Sequence, residues 1–171
     1  MARSLLFVGV TGVRIKIICV GKIKEKYIQA GIAEYVKRLG SYGSVEIVEV
    51  KDEPFKEPLS LKEQDQVMEK EAQRIAKEIP SRAHVIVLDR KGRSTSSLQW
   101  ANYLQQRMTS GDSQFIYVIG GSLGLHQSVK QEAHWLLSFS ELTFPHQLMR
   151  LILLEQLYRT ATILNGEKYH K

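Results

Sequence analysis

An apolar run that ends in a pair of glycines decides the fold: Phe115-Ile116-Tyr117-Val118-Ile119-Gly120-Gly121-Ser122-Leu123-Gly124-Leu125. The apolar part is too short for a helix and is rich in β-branched and aromatic residues, which predicts a buried strand. A second short apolar run, residues 135–139, passes through a polar turn into Pro145 and a long apolar helix. Two strand ends with loops so close in sequence predict a ligand pocket at one edge of a sheet.

Strands and helices alternate along the rest of the chain. The predicted strands cover 15–20, 45–50, 84–88, 115–119 and 135–139, and the predicted helices cover 28–39, 60–79, 98–108, 126–133 and 145–164. Ser60 and Glu63 form a capping-box pattern, Pro145 is expected at the first position (N1) of the last helix, and Leu98 is expected to be buried. The alternation is typical of an α/β domain with a mostly parallel sheet and helices on both faces.

Ligands of such sheets bind beyond the carboxyl ends of the central strands. Three loops are expected there: 88–93, 120–125 and 139–144. The glycine loop is neither G-x-G-x-x-G nor followed by Gly-Lys-Ser/Thr, so it predicts no dinucleotide or P-loop phosphate site. Glycines at this place let a ligand without phosphates approach the backbone. A tight turn between strand and helix explains the same glycines about equally well.

The composition is that of an ordinary globular chain of 171 residues, with a net charge of +6. That mild excess permits binding of RNA phosphates but is common in proteins without such a partner. Cys19 is the single cysteine, so no disulfide can form within the chain, and we expect a cytoplasmic protein. A cysteine in an apolar strand usually acts as a small hydrophobe. Because the histidines and the cysteine show no metal-ligand spacing, no metal site is predicted.

Residues 1–13 are interpreted separately from the rest. Their apolar part is short, no A-x-A cleavage pattern follows it, and no stretch of the chain has the roughly eighteen apolar residues that span a bilayer. We interpret residues 1–13 as an N-terminal extension, either a start codon assigned too early or a leader. Residues 14–171 are predicted to form a single domain.

The last predicted helix carries apolar residues on more than one face, whereas a surface helix carries one stripe. It is either enclosed by its own domain or buried against a second subunit, and we favour a dimer. Glu155 and Arg159 lie one turn apart, so they form either an ordinary helix salt bridge or part of a site. Arg150 and Arg159 could instead face RNA phosphates. Tyr169 and His170 belong either to a disordered terminus or to a site in which Tyr169 stacks on a base and His170 takes or steers a proton.

Four segments together resemble the RlmH family. They are Val118-Ile119-Gly120-Gly121-Ser122-Leu123-Gly124, Leu137-Ser138-Phe139-Ser140-x-Leu142-Thr143-Phe144-Pro145-His146-Gln147-Leu148-x-Arg150, Glu155-Gln156-x-Tyr158-Arg159, and Tyr169-His170. The resemblance covers about residues 15–171. Members of the family are SPOUT-class methyltransferases that transfer a methyl group from S-adenosylmethionine to N3 of a pseudouridine in the 23S rRNA of the large ribosomal subunit.

The resemblance implies a trefoil-knotted α/β fold, which periodicity cannot reveal, and a homodimer that acts on 23S rRNA in the large subunit or the assembled ribosome. The positions that match the family's cofactor contacts are Leu88, Gly120, Phe139, Ser140, Glu141, Leu142, Thr143 and Phe144. The positions that match its catalytic and substrate residues are Glu155, Arg159, Tyr169 and His170. The loop 89–93 is more basic than expected and either adds RNA contacts or has no role.

Methyl transfer to N3 requires mainly positioning and the removal of one imide proton. His170 is the first candidate for the base, because an unperturbed histidine titrates near neutrality. Arg159 would stabilise the developing oxyanion or hold a phosphate, and Glu155 would orient Arg159. The alternatives are a non-catalytic RNA- or ribosome-binding protein on a methyltransferase-like fold, and a nucleotide-binding module, which the missing phosphate motif disfavours.

Overall fold

The computed structural model describes residues 12–169, which form a five-stranded sheet with five helices. The strands are β1 (Arg14–Val20), β2 (Ser44–Val50), β3 (His84–Ser94), β4 (Gln114–Ile119) and β5 (Trp135–Ser138). The helices are α1 (Lys26–Leu39), α2 (Leu61–Glu78), α3 (Ser97–Thr109), α4 (Gln127–Gln131) and α5 (His146–Leu164). The strand order is β2-β1-β4-β3-β5 and every pairing is parallel, so the predicted α/β fold is confirmed.

Helices cover both faces of the sheet, as predicted, because the central strands are apolar on both sides. Residues 115–119 of β4 are each at most 3% exposed. Side chains on one face, such as Tyr117, pack with α1, α3 and α5 in one core. Those on the other face, such as Val118, pack with α2 and α4 in a second core. A strand buried on both faces has a continuous apolar run, which is why residues 115–119 do not alternate with polar ones.

Capping boxes set the starts of α2 and α3, whereas α5 begins without a side-chain cap. Ser60 and Glu63 form the predicted capping box, and Ser96 and Gln99 form a second one at the start of α3. Pro145 is the N-cap of α5 instead of its first helical residue, so the prediction of N1 is wrong by one position. Pro145 has ψ of 131°, outside the helical range, because the chain still has to turn into the helix there.

One prediction about the buried stripe of α3 is wrong. Leu98 is 53% exposed, whereas Trp100 is 4% exposed and takes its place in the core. The indole ring packs edge-on against the ring of Tyr117, with centroids 6.4 Å apart. A large aromatic side chain buries more apolar surface than a leucine, so the helix turns that residue towards the sheet.

The end of β3 also differs from the prediction of a loop over 89–93. Arg93 and Ser94 still belong to the strand and pair with Leu137 and Ser138 of β5. The sequence did not predict this pairing, because Arg93 and Ser94 are polar. Pairing with an edge strand uses only the backbone, so their side chains can stay in solvent. Residues 89–92 lie within β3 but interrupt its pairing with β5, and we call this bulge the loop 89–92.

The start of α5 lies beside the carboxyl end of β1. Arg150, 1% exposed, donates from Nη2 to the carbonyl oxygens of Val20 and Gly21 at 2.9 and 2.7 Å. Since β3 and β4 lie between β5 and β1 in the sheet, the chain crosses the carboxyl ends of both strands before α5 begins. This crossing brings residues 139–145 to the same cavity as residues 88–91 of β3 and the loop that follows β4.

Most of the predicted N-terminal extension, residues 1–11, lies outside the described residues. Val13, just before β1, is 2% exposed and belongs to the core shared with α1, α3 and α5. The division of the chain after residue 13 stays a prediction.

Candidate active site

A cavity of about 780 Å³ opens at the carboxyl edge of the sheet. Strand ends contribute Leu88, Ile119 and Leu137 to its lining, and the three loops predicted to meet here complete much of the rest. Of the positions expected to contact a cofactor, those that line the cavity are Leu88, Gly120, Phe139, Ser140, Leu142, Thr143 and Phe144. Glu141 is exposed and does not line it.

Charged groups of the lining are concentrated near the end of β3. Asp89 forms an ion pair with Lys130 of α4 at 2.5 Å and accepts a hydrogen bond from the backbone amide of Lys91 at 2.8 Å. Burial acts to raise the pKa of Asp89, but the hydrogen bonds from Lys130 and Lys91 outweigh it and hold the pKa below its usual range. The carboxylate is therefore ionised at neutral pH, and Lys130 balances its charge.

The glycines of the loop after β4 are required by the packing of the loop itself. A Cβ on Gly120 would lie 2.8 Å from Leu125 Cγ and 2.9 Å from the carbonyl of Gly124. The amide of Gly124 donates to the carbonyl oxygen of Gly121 at 3.1 Å, and Gly124 has φ of +88°, which favours glycine. The tight turn, one of the two interpretations of these glycines, is present, and it fixes the backbone that lines the cavity.

Hydroxyl contacts hold the loop after β5 in place. Ser138 Oγ lies 3.0 Å from the carbonyl oxygen of Arg90 and 3.1 Å from that of Ser140, so it links this loop to the bulge at residues 89–92 of β3. Ser140 Oγ accepts a hydrogen bond from the amide of Leu142 at 3.0 Å. The Leu142 side chain is left 72% exposed at the mouth of the cavity, where an apolar group can pack against a bound molecule.

Sequence patterns did not identify the helical residues of the cavity. They are Met68 of α2, Lys130 of α4, and His146 and Met149 of α5. The patterns at the strand ends do not predict His146 and Met149, because only the crossing of residues 139–145 brings the start of α5 to the cavity. Burial, and then the positive charge of Arg150, lower the pKa of His146, so its ring is neutral near pH 7.

A second polar group, the Glu155 cluster, consists of Glu155, Arg159 and Tyr169. Glu155 Oε1 accepts hydrogen bonds from Arg159 Nε at 3.0 Å and Nη2 at 2.5 Å. Tyr169 OH donates to the same oxygen at 3.2 Å, and its ring centroid lies 4.8 Å from the Arg159 guanidinium carbon. The structure thus brings together three of the four residues expected to act on the substrate. The fourth, His170, lies outside the described residues.

Tyr169 is held as a neutral hydrogen-bond donor. Hydrogen bonding to Tyr35, and then burial, raise the pKa of Tyr169 to about 12. Its ring packs against that of Tyr158, with centroids 4.9 Å apart. Two residues earlier, Glu167 accepts a hydrogen bond from Tyr42 OH at 2.7 Å. The segment after α5 is therefore anchored, and the Tyr169 phenol cannot act as a base near neutral pH.

The Glu155 cluster and the cavity lie on different parts of α5. His146 and Met149 line the cavity, whereas no member of the cluster does. Along the helix, Glu155 and Arg159 lie about 9 and 15 Å beyond Met149 at the usual rise per residue. Within residues 12–169, the expected catalytic side chains therefore do not reach the cavity of their own chain.

In the part of the chain that the structure describes, no group of three or more His, Cys, Asp or Glu side chains could hold a metal ion. Across the same residues, no helix combines the length and the apolar character needed to cross a membrane.

Comparison with known proteins identifies a family and structural neighbours. A family model described as "Predicted SPOUT methyltransferase" matches residues 13–170. The chain is similar to a probable methylase family protein from Haemophilus influenzae Rd KW20, at 15% identity over 94% of this chain and 70% of that one, with a TM-score of 0.48. It is also similar to the SpoU methyltransferase AviRb from Streptomyces viridochromogenes, solved in complex with AdoMet, at 12% identity over 90% of this chain, with a TM-score of 0.44. The chain spans 60% of the length of AviRb.

Proposed function

The chain belongs to the SPOUT methyltransferase family, and on this basis we propose that it methylates N3 of a pseudouridine in 23S rRNA, with S-adenosylmethionine as the methyl donor. The choice of base and atom rests on the motifs that this chain shares with RlmH enzymes. One observation carries the proposal: residues of those motifs from separate parts of the chain line the same cavity. Residues so far apart in sequence can bind one cofactor only if the fold brings them to the same cavity.

The cavity suits S-adenosylmethionine in size and lining. Its volume of about 780 Å³ falls within the roughly 300–1,000 Å³ of small-molecule sites. Leu88, Phe139 and Met149 offer apolar surface, and the three loops offer backbone N–H and C=O groups. The bound cofactor supplies an activated methyl group, so the task of this chain is to hold and orient it.

The crossing of residues 139–145 supports the proposal of a trefoil knot. These residues run from β5 at the sheet edge, past β3 and β4, to α5 beside β1. The loops 89–92 and 120–125 lie at the same edge and share the cavity with the crossing segment. In a knot, the crossing segment passes through these loops, so the cofactor would bind where the chain is most constrained.

The Glu155 cluster would act on the substrate base. Glu155 fixes Arg159 through two contacts to one carboxylate oxygen, so the guanidinium is oriented to stabilise the oxyanion that develops when N3 loses its proton. Tyr169, with its raised pKa, would donate a hydrogen bond or stack on the base. His170 follows it directly and is our candidate for the base that takes the N3 proton.

A homodimer would bring the Glu155 cluster of one subunit to the cavity of the other. The cluster does not line the cavity of its own chain, so a site that uses both needs a second copy. The helix α5 also keeps apolar side chains such as Leu148 and Ile152 only half-buried within one chain, which suits a symmetric interface. The dimer would act in the cytoplasm on 23S rRNA of the large subunit or the assembled ribosome.

The decisive experiment separates cofactor binding from RNA methylation. Isothermal titration calorimetry with S-adenosylmethionine is expected to show saturable binding. Mass spectrometry of 23S rRNA from a strain that lacks this protein is expected to show one pseudouridine without its methyl group. The wild-type gene should restore the methyl group, and a gene with Glu155→Gln should not. Cofactor binding with no change in the rRNA would overturn the rRNA assignment.

The competing function is a non-catalytic RNA- or ribosome-binding protein on the same fold. It predicts that the protein binds RNA without binding S-adenosylmethionine. The ordered loop that Ser138 and Ser140 hold at an open cavity favours the enzyme, because a binding protein has no need of that cavity.

A further inference from the structure

We propose that Arg90 and Lys91 bind an RNA phosphate at the mouth of the cavity. The inference rests on the proposed function, because it assigns the surface that holds the substrate strand. It starts from an irregularity in the sheet. The strand β5 pairs with residues 86–88 of β3, and then pairs again with Arg93 and Ser94. Residues 89–92 are left out of this pairing and form a bulge within β3 at the carboxyl edge, the loop 89–92.

The loop 89–92 is held rigidly. A Cβ on Gly92 would lie 2.7 Å from backbone atoms of β5, so the loop lies directly against that strand. Asp89 Oδ1 accepts a hydrogen bond from the amide of Lys91 at 2.8 Å, and Ser138 Oγ donates to the carbonyl oxygen of Arg90 at 3.0 Å. Side chains on a fixed loop are presented at defined positions, which distinguishes them from a solvated run of charges.

The loop 89–92 presents positive charge, because its one acidic side chain is paired with a lysine of α4. Asp89 is neutralised by Lys130 at 2.5 Å. Arg90 and Lys91 are both exposed and both line the cavity. Among residues 12–169, no side chain forms an ion pair or hydrogen bond with their charged groups. Two cations side by side at the mouth of a cavity form a site for an anion.

The rest of the mouth indicates which anion. Leu142 is 72% exposed there, and Thr143 beside it is also exposed. A nucleotide has the two parts that this mouth can accept: a flat base that packs against an apolar group, and a phosphate next to it. Phosphate contacts set the position of a strand without reading its sequence. Such contacts would place one base at the cavity. A small domain depends on them, because it has little further surface with which to hold RNA.

The test measures RNA binding and cofactor binding separately in the double variant R90A/K91A. Fluorescence anisotropy with a labelled RNA hairpin is expected to show binding weakened about tenfold at moderate salt. The slope of log Kd against log salt should be smaller by about 0.8, because the variant neutralises one phosphate fewer and therefore releases fewer counterions on binding. Calorimetry with S-adenosylmethionine should show a smaller loss of affinity than the loss for RNA, because the variant keeps the backbone N–H and C=O groups with which this loop lines the cavity.

The control is the double variant K37A/K77A, which removes the same charge from the last turns of α1 and α2 at the opposite edge of the sheet. It should keep the wild-type RNA affinity and salt slope. Thermal unfolding followed by circular dichroism checks that both double variants are folded.

Unchanged RNA affinity and salt slope in R90A/K91A would overturn the proposal. Loss of cofactor affinity with RNA binding intact would also overturn it, because the two cations would then bind the carboxylate of S-adenosylmethionine. A wild type that binds neither the hairpin nor large ribosomal subunits would do the same. RNA binding is measured here without methyl transfer. A protein that binds RNA through this loop and leaves 23S rRNA unmethylated would therefore overturn the proposed function alone.

Discussion

Arg150 of α5 forms an ion pair with Glu49 of β2 at 2.8 Å, across the carboxyl end of β1. The same guanidinium donates hydrogen bonds to the carbonyl oxygens of Val20 and Gly21. The Arg150 side chain is 1% exposed, whereas that of Glu49 is 33% exposed. One buried cation thus fixes the start of α5, which carries His146 and Met149 of the cavity lining.

Replacement of Arg150 is expected to destabilise the fold strongly. Arg150→Ala removes the guanidinium donor of two carbonyl groups and the ion-pair partner of Glu49, which still accepts a hydrogen bond from the amide of Ile23. The free energy of unfolding should fall by about 3–5 kcal/mol. Urea denaturation followed by circular dichroism measures the change. Arg38→Ala, which removes an exposed pair with Glu34 on α1, is the control and should leave the midpoint close to that of wild type. Equal, small effects at both positions would contradict the role of Arg150.

A side chain at Gly92 is expected to displace the loop 89–92. Its Cβ would lie 2.7 Å from the backbone carbonyl of Leu136, which cannot move away because β5 pairs with β3 on both sides of the loop. Gly92→Ala should lower the free energy of unfolding by about 1–3 kcal/mol. Calorimetry should show at least a tenfold weaker Kd for S-adenosylmethionine, since the loop lines the cavity.

Gly31→Ala provides the comparison for Gly92→Ala. Its Cβ would lie 2.9 Å from Leu151 Cδ1, the mobile end of a side chain, which can rotate away. Gly31 also lies within α1, where alanine has a better helix propensity by about 1 kcal/mol, so little net change is expected. Wild-type cofactor binding by Gly92→Ala would show that the loop does not shape the cavity.

Local patterns were enough to predict much of the fold. The apolar run 115–119 is a buried strand, and Ser60 with Glu63 forms the capping box, because each depends on residues close in sequence. The meeting of the three loops also follows from sequence, since carboxyl ends of parallel strands share one edge. The pairing of Arg93 with Leu137 was not predictable in this way, because it depends on which strand lies beside β3.

Prediction of the candidate active site is limited in the same way, by contacts between residues distant in sequence. No residue close to Arg150 in sequence predicts that its side chain is buried. Only the crossing of residues 139–145 brings it within hydrogen-bond distance of two carbonyl groups at the end of β1. His146 and Met149 enter the cavity for the same reason. The family resemblance predicted Tyr169 and Glu155 as residues of one site, but the hydrogen bond between them was not predicted, because it depends on how the chain turns back after α5.

The stability of the protein is expected to fall in mild acid because of His84. Its ring is 4% exposed, with Nε2 2.6 Å from Tyr103 OH and Nδ1 3.3 Å from Asp112 Oδ2. Burial, and then the charge of His134, lower the pKa of His84 from 6.5 to about 4. Between these values the unfolded state binds a proton that the folded state does not. The contribution of His84 is therefore complete above pH 6.5 and is lost as the pH falls towards 4.

Urea denaturation at a series of pH values measures this contribution, using His84→Gln as the reference. Between neutral pH and pH 4 the wild type should lose about 1–3 kcal/mol more than the variant does. The difference between the two proteins is the readout, because His146 also has a lowered pKa and acts in the same direction. Parallel pH profiles for wild type and His84→Gln would contradict the prediction.

Cys19 is expected to be inert in the folded protein. It is 0% exposed, and burial, the largest of the effects on it, raises the pKa of its thiol to about 12. Because the thiolate is the reactive form, iodoacetamide at pH 8 should leave the native chain unmodified. Intact-mass spectrometry should show one added group only when urea unfolds the protein. Rapid modification without urea would mean that β1 opens locally.

Two inactive variants are expected to restore activity to each other when they form mixed dimers. Thr143→Trp places a large ring on an exposed wall of the cavity and should block S-adenosylmethionine without disturbing the core. Glu155→Gln leaves the cavity intact but removes the charge that holds Arg159. If the Glu155 cluster acts on the cavity of the partner, one site of each mixed dimer combines an open cavity with an intact cluster.

Refolding an equal mixture of the two variants should therefore recover about a quarter of the wild-type methylation rate, since about half of the dimers are mixed and one of their two sites is intact. Each variant refolded alone should remain inactive. As a control, Thr143→Trp is mixed with the double variant T143W/E155Q, which offers no open cavity in any dimer and should also remain inactive. If the cluster served the cavity of its own chain, every site in the mixture would carry one of the two lesions. No activity would then return, and the proposed exchange of residues between subunits would be wrong.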